Sequence, residues 1–245
     1  MSAHISENKQ YYDQRFGSLS QNLNEEEQGR WQFLKTTLDS LQLPSTAQIA
    51  DFGCGRGWLS NQLSAFGTVT GFDLSEKAVE NAKQNFKNCA FYCLNAEAPL
   101  PSEFVGSFDV LVSSEVIEHT TAQEDYLKNC YVLLKPGAYL LLSTPNGKWK
   151  NDFYKNGREA WKQPVENWLG IEALTRMSEE LGFTTLSKSS FNAEWIFDFR
   201  PDSFKMLSQP PVRKLLKLLG RYNSRIAALN AKNCGLNLLL LAKKV

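Results

Sequence analysis

The sequence predicts an α/β protein: a doubly wound, mostly parallel seven-stranded sheet with an antiparallel last strand. Three observations predict it. Short apolar runs of strand length fall at 47–52, 68–73, 89–94, 108–113, 138–144, 183–191 and 236–243. Between most of them lie segments with apolar residues at helical spacing, and strands that alternate with helices build right-handed crossovers and a parallel sheet. The third observation is Ile49-Ala-Asp-Phe-Gly-Cys-Gly-Arg-Gly57, where an apolar run ends in an acid and three alternate glycines before an amphipathic helix.

The elements follow in order along one expected domain of 245 residues. Residues 1–46 read as an N-terminal helical cap. Tyr11, Tyr12 and Phe16 share one face of a short polar helix, and Asn24 with Glu27 has the pattern of a capping box. The helix after Asn24 carries Trp31, Leu34, Leu38 and Leu41 on one stripe and stops before Pro44. Residues 47–191 read as the core. Helices are expected at 57–66, at 76–86 behind a Ser75 cap, at 124–134 and at 170–181, the last closed by Gly182. Lys135-Pro-Gly137 reads as a turn before the fifth strand, and 147–170 as irregular and aromatic, with Trp149, Phe153, Tyr154, Trp161 and Trp168. Residues 192–234 read as a helical insertion or lid, and 235–245 as the last strand.

Composition is that of an ordinary globular protein, and a net charge of +1 gives no general attraction to polyanions. Charge is unevenly spread: nine Lys and Arg residues follow Asp202 and no acid does. Five cysteines without metal or disulfide spacing suit reduced thiols in the cytoplasm. The polar start lacks a signal core, and the longest apolar run is too short to span a bilayer.

The glycine stretch has the chemistry of a cofactor site. Glycine lets a backbone turn sharply and approach a ligand, and the first N–H groups of the next helix are free to receive a polar group. The pattern is G-x-G-x-G, and Asp51 just before it would repel a pyrophosphate but pair with a cation such as an ammonium. Asp73 ends the next strand, roughly 20 residues beyond the glycines, where an acid can accept from both ribose hydroxyls. Asp51–Gly57, Asp73, Asn95, Ser114–His119 and Thr144–Asn146 all fall at the carboxyl ends of expected strands, where such sheets bind ligands.

Asp51-Phe-Gly-Cys-Gly-Arg-Gly57 and Gly71-Phe-Asp-Leu-Ser75 resemble motifs of class I S-adenosylmethionine-dependent methyltransferases. Phe108–His119 and Leu134–Asn146 strengthen the resemblance, the second toward the ubiquinone-biosynthesis-like branch of small-molecule O-methyltransferases. The resemblance covers 47–146 well, thins to Gly182 and ends there. It implies a Rossmann-like methyltransferase fold and S-adenosylmethionine or S-adenosylhomocysteine as ligand. Asp51, Gly53, Cys54, Gly55 and Gly57 would face its methionine end. Asp73 and Leu74 would hold the ribose, and Asn95, Ala96 and Glu97 the adenine. Ser114 and Glu115 would line the cofactor, and Tyr12 and Arg15 would fold over it. Asn95 stands where the family often has an acid; an amide still offers a carbonyl oxygen.

Glu115, Glu118 and His119 form Glu-x-x-Glu-His, and three roles stay open. Glu115 lines the cofactor while His119 only packs; or His119, with Glu118 beside it, is a general base whose pKa lies near working pH; or all three hold a divalent cation. The last resembles the metal motif of small-RNA 2′-O-methyltransferases and of ubiquinone-biosynthesis O-methyltransferases, but the stretch Gln163–Trp168 lacks the further histidine of the RNA enzymes. The expected activity is methyl transfer to a hydroxyl of a small molecule. An RNA-end 2′-O-methyltransferase and a non-catalytic S-adenosylmethionine-binding protein are the alternatives, and no RNA-binding module accompanies the domain. Residues 211–221 have a leucine stripe flanked by Arg213, Lys214, Lys217 and Arg221, the pattern of a helix that could touch an anionic membrane.

Overall fold

The computed structural model describes residues 3–16, 23–155, 163–193, 211, 214 and 221–245. Two helices come first, α1 (Ala3–Phe16) and α2 (Glu25–Leu41). The capping box at the start of α2 forms as its residues dictate: Asn24 Oδ1 accepts from Glu27 N and Glu27 Oε2 accepts from Asn24 N. The apolar stripe of α2 buries Trp31, Leu34 and Leu38.

The sheet and its helices follow: β1 (Gln48–Phe52), α3 (Trp58–Leu63), β2 (Thr68–Asp73), α4 (Glu76–Asn85), β3 (Ala90–Cys93), β4 (Phe108–Ser114), α5 (Gln123–Leu133) and β5 (Leu134–Pro145). Then come α6 (Lys150–Lys155), α7 (Ile171–Glu180), β6 (Phe183–Phe191), α8 (Arg221–Ala231) and β7 (Asn237–Lys244). The strands lie in the order β3-β2-β1-β4-β5-β7-β6. β1 to β5 are parallel, and β7 runs antiparallel between β5 and β6. The expected fold is therefore the observed one.

Burial explains why the central strands read as unbroken apolar runs. Side chains alternate across a strand, so both faces must be apolar when helices cover both. Phe52, Leu111, Leu140 and Leu240 pack under α5 and α7. Ile49, Val110, Val112, Leu141 and Leu239 pack on the other face with Leu34 and Leu38 of α2 and Leu63 of α3. Each such side chain contributes about 1.5–3 kcal/mol by leaving water.

Two expectations need correction. Lys135-Pro-Gly137 is not a turn before the fifth strand. β5 already begins at Leu134, which pairs with Phe108, and the next registered pair is Val110 with Tyr139, so the Pro-Gly stretch is an irregularity within the strand. Gly137 takes φ +78 there, a conformation open to glycine at no steric cost. Residues 147–170 are not irregular throughout, because a 3₁₀ turn at Gly147–Trp149 leads into α6.

The 192–234 segment falls largely outside the described residues, as does most of the 211–221 stripe. Its last part is α8, whose Ile226 and Leu229 pack on Trp149, Ala193 and Leu236. Among the described residues no helix is long and apolar enough to cross a membrane.

Candidate active site

The strand order reverses between β1 and β4, so a crevice opens beyond their carboxyl ends, where α/β sheets hold ligands. The loop after β1 fills its floor. Gly53, Gly55 and Gly57 take φ of +95, +51 and +82, which side-chain-bearing residues rarely adopt. At Gly53 a Cβ would also lie 2.3 Å from Val116 Cγ2. The loop is pinned from below: Gly53 N and Cys54 N both donate to Phe72 O, at 2.8 and 2.9 Å.

Asp73 stands at the end of β2 against this loop. Its Oδ2 accepts from Gly55 N at 2.7 Å and its Oδ1 from Ser75 N at 2.9 Å. A carboxylate oxygen has a second lone pair, so the bonds that fix the group leave it able to accept from a ligand. Burial raises the Asp73 pKa. Asp51 lies deeper, 1% exposed, and accepts from Ser60 Oγ at 2.6 Å, which ties β1 to α3. Burial, with a smaller contribution from Asp73, pushes its pKa up to about 7. The Cys54 thiol is buried and held well above its ordinary pKa by that burial, so it packs as a small apolar group.

Other expected cofactor residues turn part of their polarity onto the protein. Asn95 Oδ1 accepts from Glu97 N at 3.0 Å. Glu97 Oε2 accepts from Thr121 N, Thr121 Oγ1 and Ala122 N, holding the chain just before α5. Leu74 O accepts from Cys93 Sγ and Ser114 Oγ shares a hydrogen bond with Ser143 Oγ. Ala96 packs against the core face under α5 and its carbonyl accepts from Asn129 Nδ2.

The turn after β4 carries the acid–histidine group. Glu115 has φ +58, and only Ile117–His119 forms a 3₁₀ turn. Glu115 therefore faces a different neighbourhood from its two companions. Its Oε1 accepts from Ser143 Oγ and its Oε2 from Asn237 Nδ2 of β7. Glu118, 1% exposed, accepts from Thr144 Oγ1 at 2.9 Å. Burial pushes Glu115 to about 7 and Glu118 to about 8, so Glu118 is mostly protonated at neutral pH. His119 Nδ1 lies 2.9 Å from Val165 O. A carbonyl only accepts, so Nδ1 carries the proton and Nε2 keeps its lone pair. Nε2 is 3.6 Å from Glu118 Oε1, and burial lowers the imidazole pKa, keeping the ring neutral. Among the described residues no three His, Cys, Asp or Glu side chains are gathered to hold a metal ion.

α1 crosses the crevice, anchored on both sides. Toward α4, Asp13 Oδ1 accepts from Ser75 Oγ at 2.5 Å, and Lys9 pairs with Glu76 at 3.4 Å. On the other side Tyr12 donates to Gln163 Oε1 at 2.7 Å and sets its ring edge-on to His119, with centroids 6.1 Å apart. Burial raises the Tyr12 pKa, so it stays a phenol. Arg15 Nη1 donates to Tyr11 OH.

Three participants went unread in the sequence. Arg56, inside the glycine loop, forms a buried ion pair with Glu27 at 2.6 Å, so the capping box of α2 also braces the loop. Asp13 is the second. The third is Asn8, 4% exposed, whose Nδ2 donates to His119 O at 3.0 Å while its Oδ1 has no partner among the described residues. A bare buried amide oxygen costs about 1–3 kcal/mol. Next to the crevice, Lys150, Tyr154, Lys155, Gln163 and Glu166 line a cavity of about 320 Å³. The hydroxyl-bearing and carboxylate groups beside a close-approach loop fit a cofactor with ribose and ammonium groups better than one with a pyrophosphate.

A family model described as a methyltransferase domain matches residues 44–199, and the chain belongs to that family. The ubiquinone biosynthesis O-methyltransferase of Coxiella burnetii is 34% identical over 111 residues, 43% of this chain and 47% of its own length. The chain thus spans about half the length of the curated relatives it matches. A methyltransferase solved with the Haloferax volcanii Trm112 activator aligns with a TM-score of 0.66 and 14% identity, covering 98% of this chain and 96% of that one. An S-adenosylmethionine-dependent methyltransferase from Mesorhizobium loti aligns at 0.56 with 18% identity, covering 85% and 96%. These likenesses carry the fold, a Rossmann-like methyltransferase sheet.

Proposed function

We propose that the protein is an S-adenosylmethionine-dependent methyltransferase acting on a hydroxyl of a small molecule. S-adenosylmethionine, when bound, supplies an electrophilic methyl group on a sulfonium. The chain supplies the rest. Asp73 accepts from the ribose hydroxyls, and Gly53, Gly55 and Gly57 let the backbone come close to the methionine end. Tyr12 covers the crevice and helps keep water out, which methyl transfer needs for close in-line approach.

The observation that carries the hydroxyl assignment is the state of His119. Its Nδ1–H is committed to Val165 O, its ring is neutral, and its Nε2 lone pair remains. Such a nitrogen can take the proton of an acceptor hydroxyl, making the oxygen a better nucleophile, and then return the proton to solvent. Glu118, mostly protonated beside it, does not compete as a base at neutral pH. The open cavity of about 320 Å³ beyond Gln163 has the size of a small-molecule site.

The test is transfer of labelled methyl from S-adenosylmethionine to a panel of phenols, catechols, aliphatic alcohols and amines. Turnover of at least one hydroxyl compound is expected, and labelling of amines alone would overturn the assignment. The acid-free basic tail supports a finer proposal, reversible contact of 211–221 with anionic membrane in the cytoplasm, where the five free cysteines would stay reduced. Flotation with anionic but not neutral liposomes is expected, and equal recovery from both would remove it.

A further inference from the structure

The cavity beside the crevice carries a charge that methyl transfer leaves unused. Lys150 and Lys155 of α6 line it, with Gln163 and Glu166 from the segment before α7. These side chains bring two positive charges and one negative one. The Glu166 carboxylate is occupied by neutral donors: its Oε1 accepts from Gln163 N at 3.3 Å and its Oε2 from Trp168 Nε1. Lys150 Nζ donates to the backbone carbonyl of Glu166, not to its carboxylate. Among the described residues neither lysine forms an ion pair. An ammonium has three N–H donors and no acceptor, so both lysines keep donors for a ligand.

Lysines on a surface helix usually reach into water, and two of them alone would need no other explanation. Here they stand on a fixed wall. Tyr154, 8% exposed, also lines the cavity and packs on Trp168 with ring centroids 5.7 Å apart. Phe153 packs on the same indole at 5.4 Å. The remaining wall is tied to the reacting group. Gln163 accepts from Tyr12, Val165 O holds His119 Nδ1, and Asn167 N donates to Glu118 O at 2.7 Å. Pro164 and Glu166 line the cavity, and the residue between them holds the histidine. The cavity and His119 therefore share one stretch of chain.

Charge decides what fits. An amine would meet two ammonium groups. An apolar tail would take water from Lys150, Lys155, Gln163 and Glu166 and give no hydrogen bond back, which is unfavourable. A phosphate ester, close to doubly charged, would exceed the net charge of the lining and face the Glu166 carboxylate. A single carboxylate balances the lining and takes charge-assisted hydrogen bonds from both ammonium groups. We propose that this cavity is a binding site for the carboxylate of a small organic acid, held by Lys155 and Lys150. The proposal rests on the methyltransferase assignment only for the source of that group. It is either a second group on the acceptor or a separate small acid bound beside the reacting site.

The probe is benzoate, with benzyl alcohol as its neutral counterpart and inorganic phosphate as the more highly charged anion. Equilibrium dialysis measures each against wild type, Lys155→Gln and Lys150→Gln/Lys155→Gln at low salt. Lys155 is exposed in the last turn of α6, so Lys155→Gln keeps the fold even if the double variant does not. Thermal unfolding checks both. Saturable binding of benzoate at one site, at least threefold weaker in Lys155→Gln and tenfold weaker in the double variant, with none of benzyl alcohol, supports the proposal. No saturable benzoate binding to wild type, smaller losses in a folded variant, equal binding of benzyl alcohol, or binding of phosphate alone overturns it. Labelled-methyl transfer to 4-hydroxybenzoate and to phenol names the source. A KM for 4-hydroxybenzoate at least tenfold below that for phenol, with the difference lost in Lys155→Gln, assigns the carboxylate to the acceptor. Benzoate binding without that preference assigns it to a separate acid. Failure of wild type to bind S-adenosylhomocysteine rejects the methyltransferase assignment and leaves the benzoate result standing, whereas failure of benzoate alone rejects only this site.

Discussion

Gly53→Ala tests the loop on which the site is built. The new Cβ would stand 2.3 and 2.8 Å from the two γ-methyls of Val116, at a backbone φ of +95. Val116 cannot swing clear, because a β-branched side chain has few rotamers. Overpacking of this kind costs about 1–3 kcal/mol. The backbone conformation adds about 1–2 kcal/mol for a residue with a Cβ. For a domain of this size each kcal/mol is worth roughly 2–4 °C, so a fall on the order of 5–15 °C is expected. Thermal unfolding followed by circular dichroism measures it without any ligand. Gly53→Ala/Val116→Ala separates the two causes: the clash is relieved and the backbone strain is not, so the cycle should show a favourable coupling of about 1–3 kcal/mol. A Gly53→Ala protein that melts within about 1 °C of wild type would refute the geometry, since neither strain nor clash could then be present.

His119→Ala should lower kcat far more than it changes cofactor affinity, typically by about 10²–10⁴-fold for loss of a general base. Burial lowers the His119 pKa, so the wild-type rate should rise with pH through a midpoint below the usual imidazole value of about 6.5 and then level; the variant should lack that limb. Glu118→Gln mimics the protonated acid, so it should match wild type in stability near pH 5 and exceed it as pH rises toward 8. The folded pKa of Glu118, about 8, lies above its ordinary value of 4.5. The folded state therefore binds more protons than the unfolded one between those values, and stability falls as pH rises across that window. Urea unfolding from pH 5 to 9 should show a shallower fall in Glu118→Gln, and parallel curves would contradict the buried, protonated carboxyl.

The sheet, the glycine loop and Asp73 were legible because each leaves a local mark: an apolar run, alternate glycines, an acid at a strand end. The capping box of α2 was legible for the same reason, since Asn24 and Glu27 are three residues apart. What the sequence hid is non-local. Arg56 and Glu27 are 29 residues apart, Asp13 and Ser75 are 62 apart, and Asn8 and His119 are 111 apart. No periodicity marks such pairs; only the folded topology brings them together. α6 is six residues long, too short to show a helical period. Pro136-Gly137 misled because punctuation residues usually end a strand, and here the strand continues through a bulge. The positive φ of Glu115, which sets its carboxyl toward Ser143 and Asn237, is a backbone conformation that no residue pattern announces.

The central claim is that the glycine loop and Asp73 hold S-adenosylmethionine. Calorimetry of the wild type and of Asp73→Ala with S-adenosylhomocysteine tests it most directly. Asp73→Ala frees Gly55 N and Ser75 N and would remove the two charge-assisted bonds proposed for the ribose. The account predicts saturable binding at one site in the wild type and a loss of about tenfold or more in affinity in the variant, about 1.4 kcal/mol or more. Equal affinity in the two proteins would contradict it.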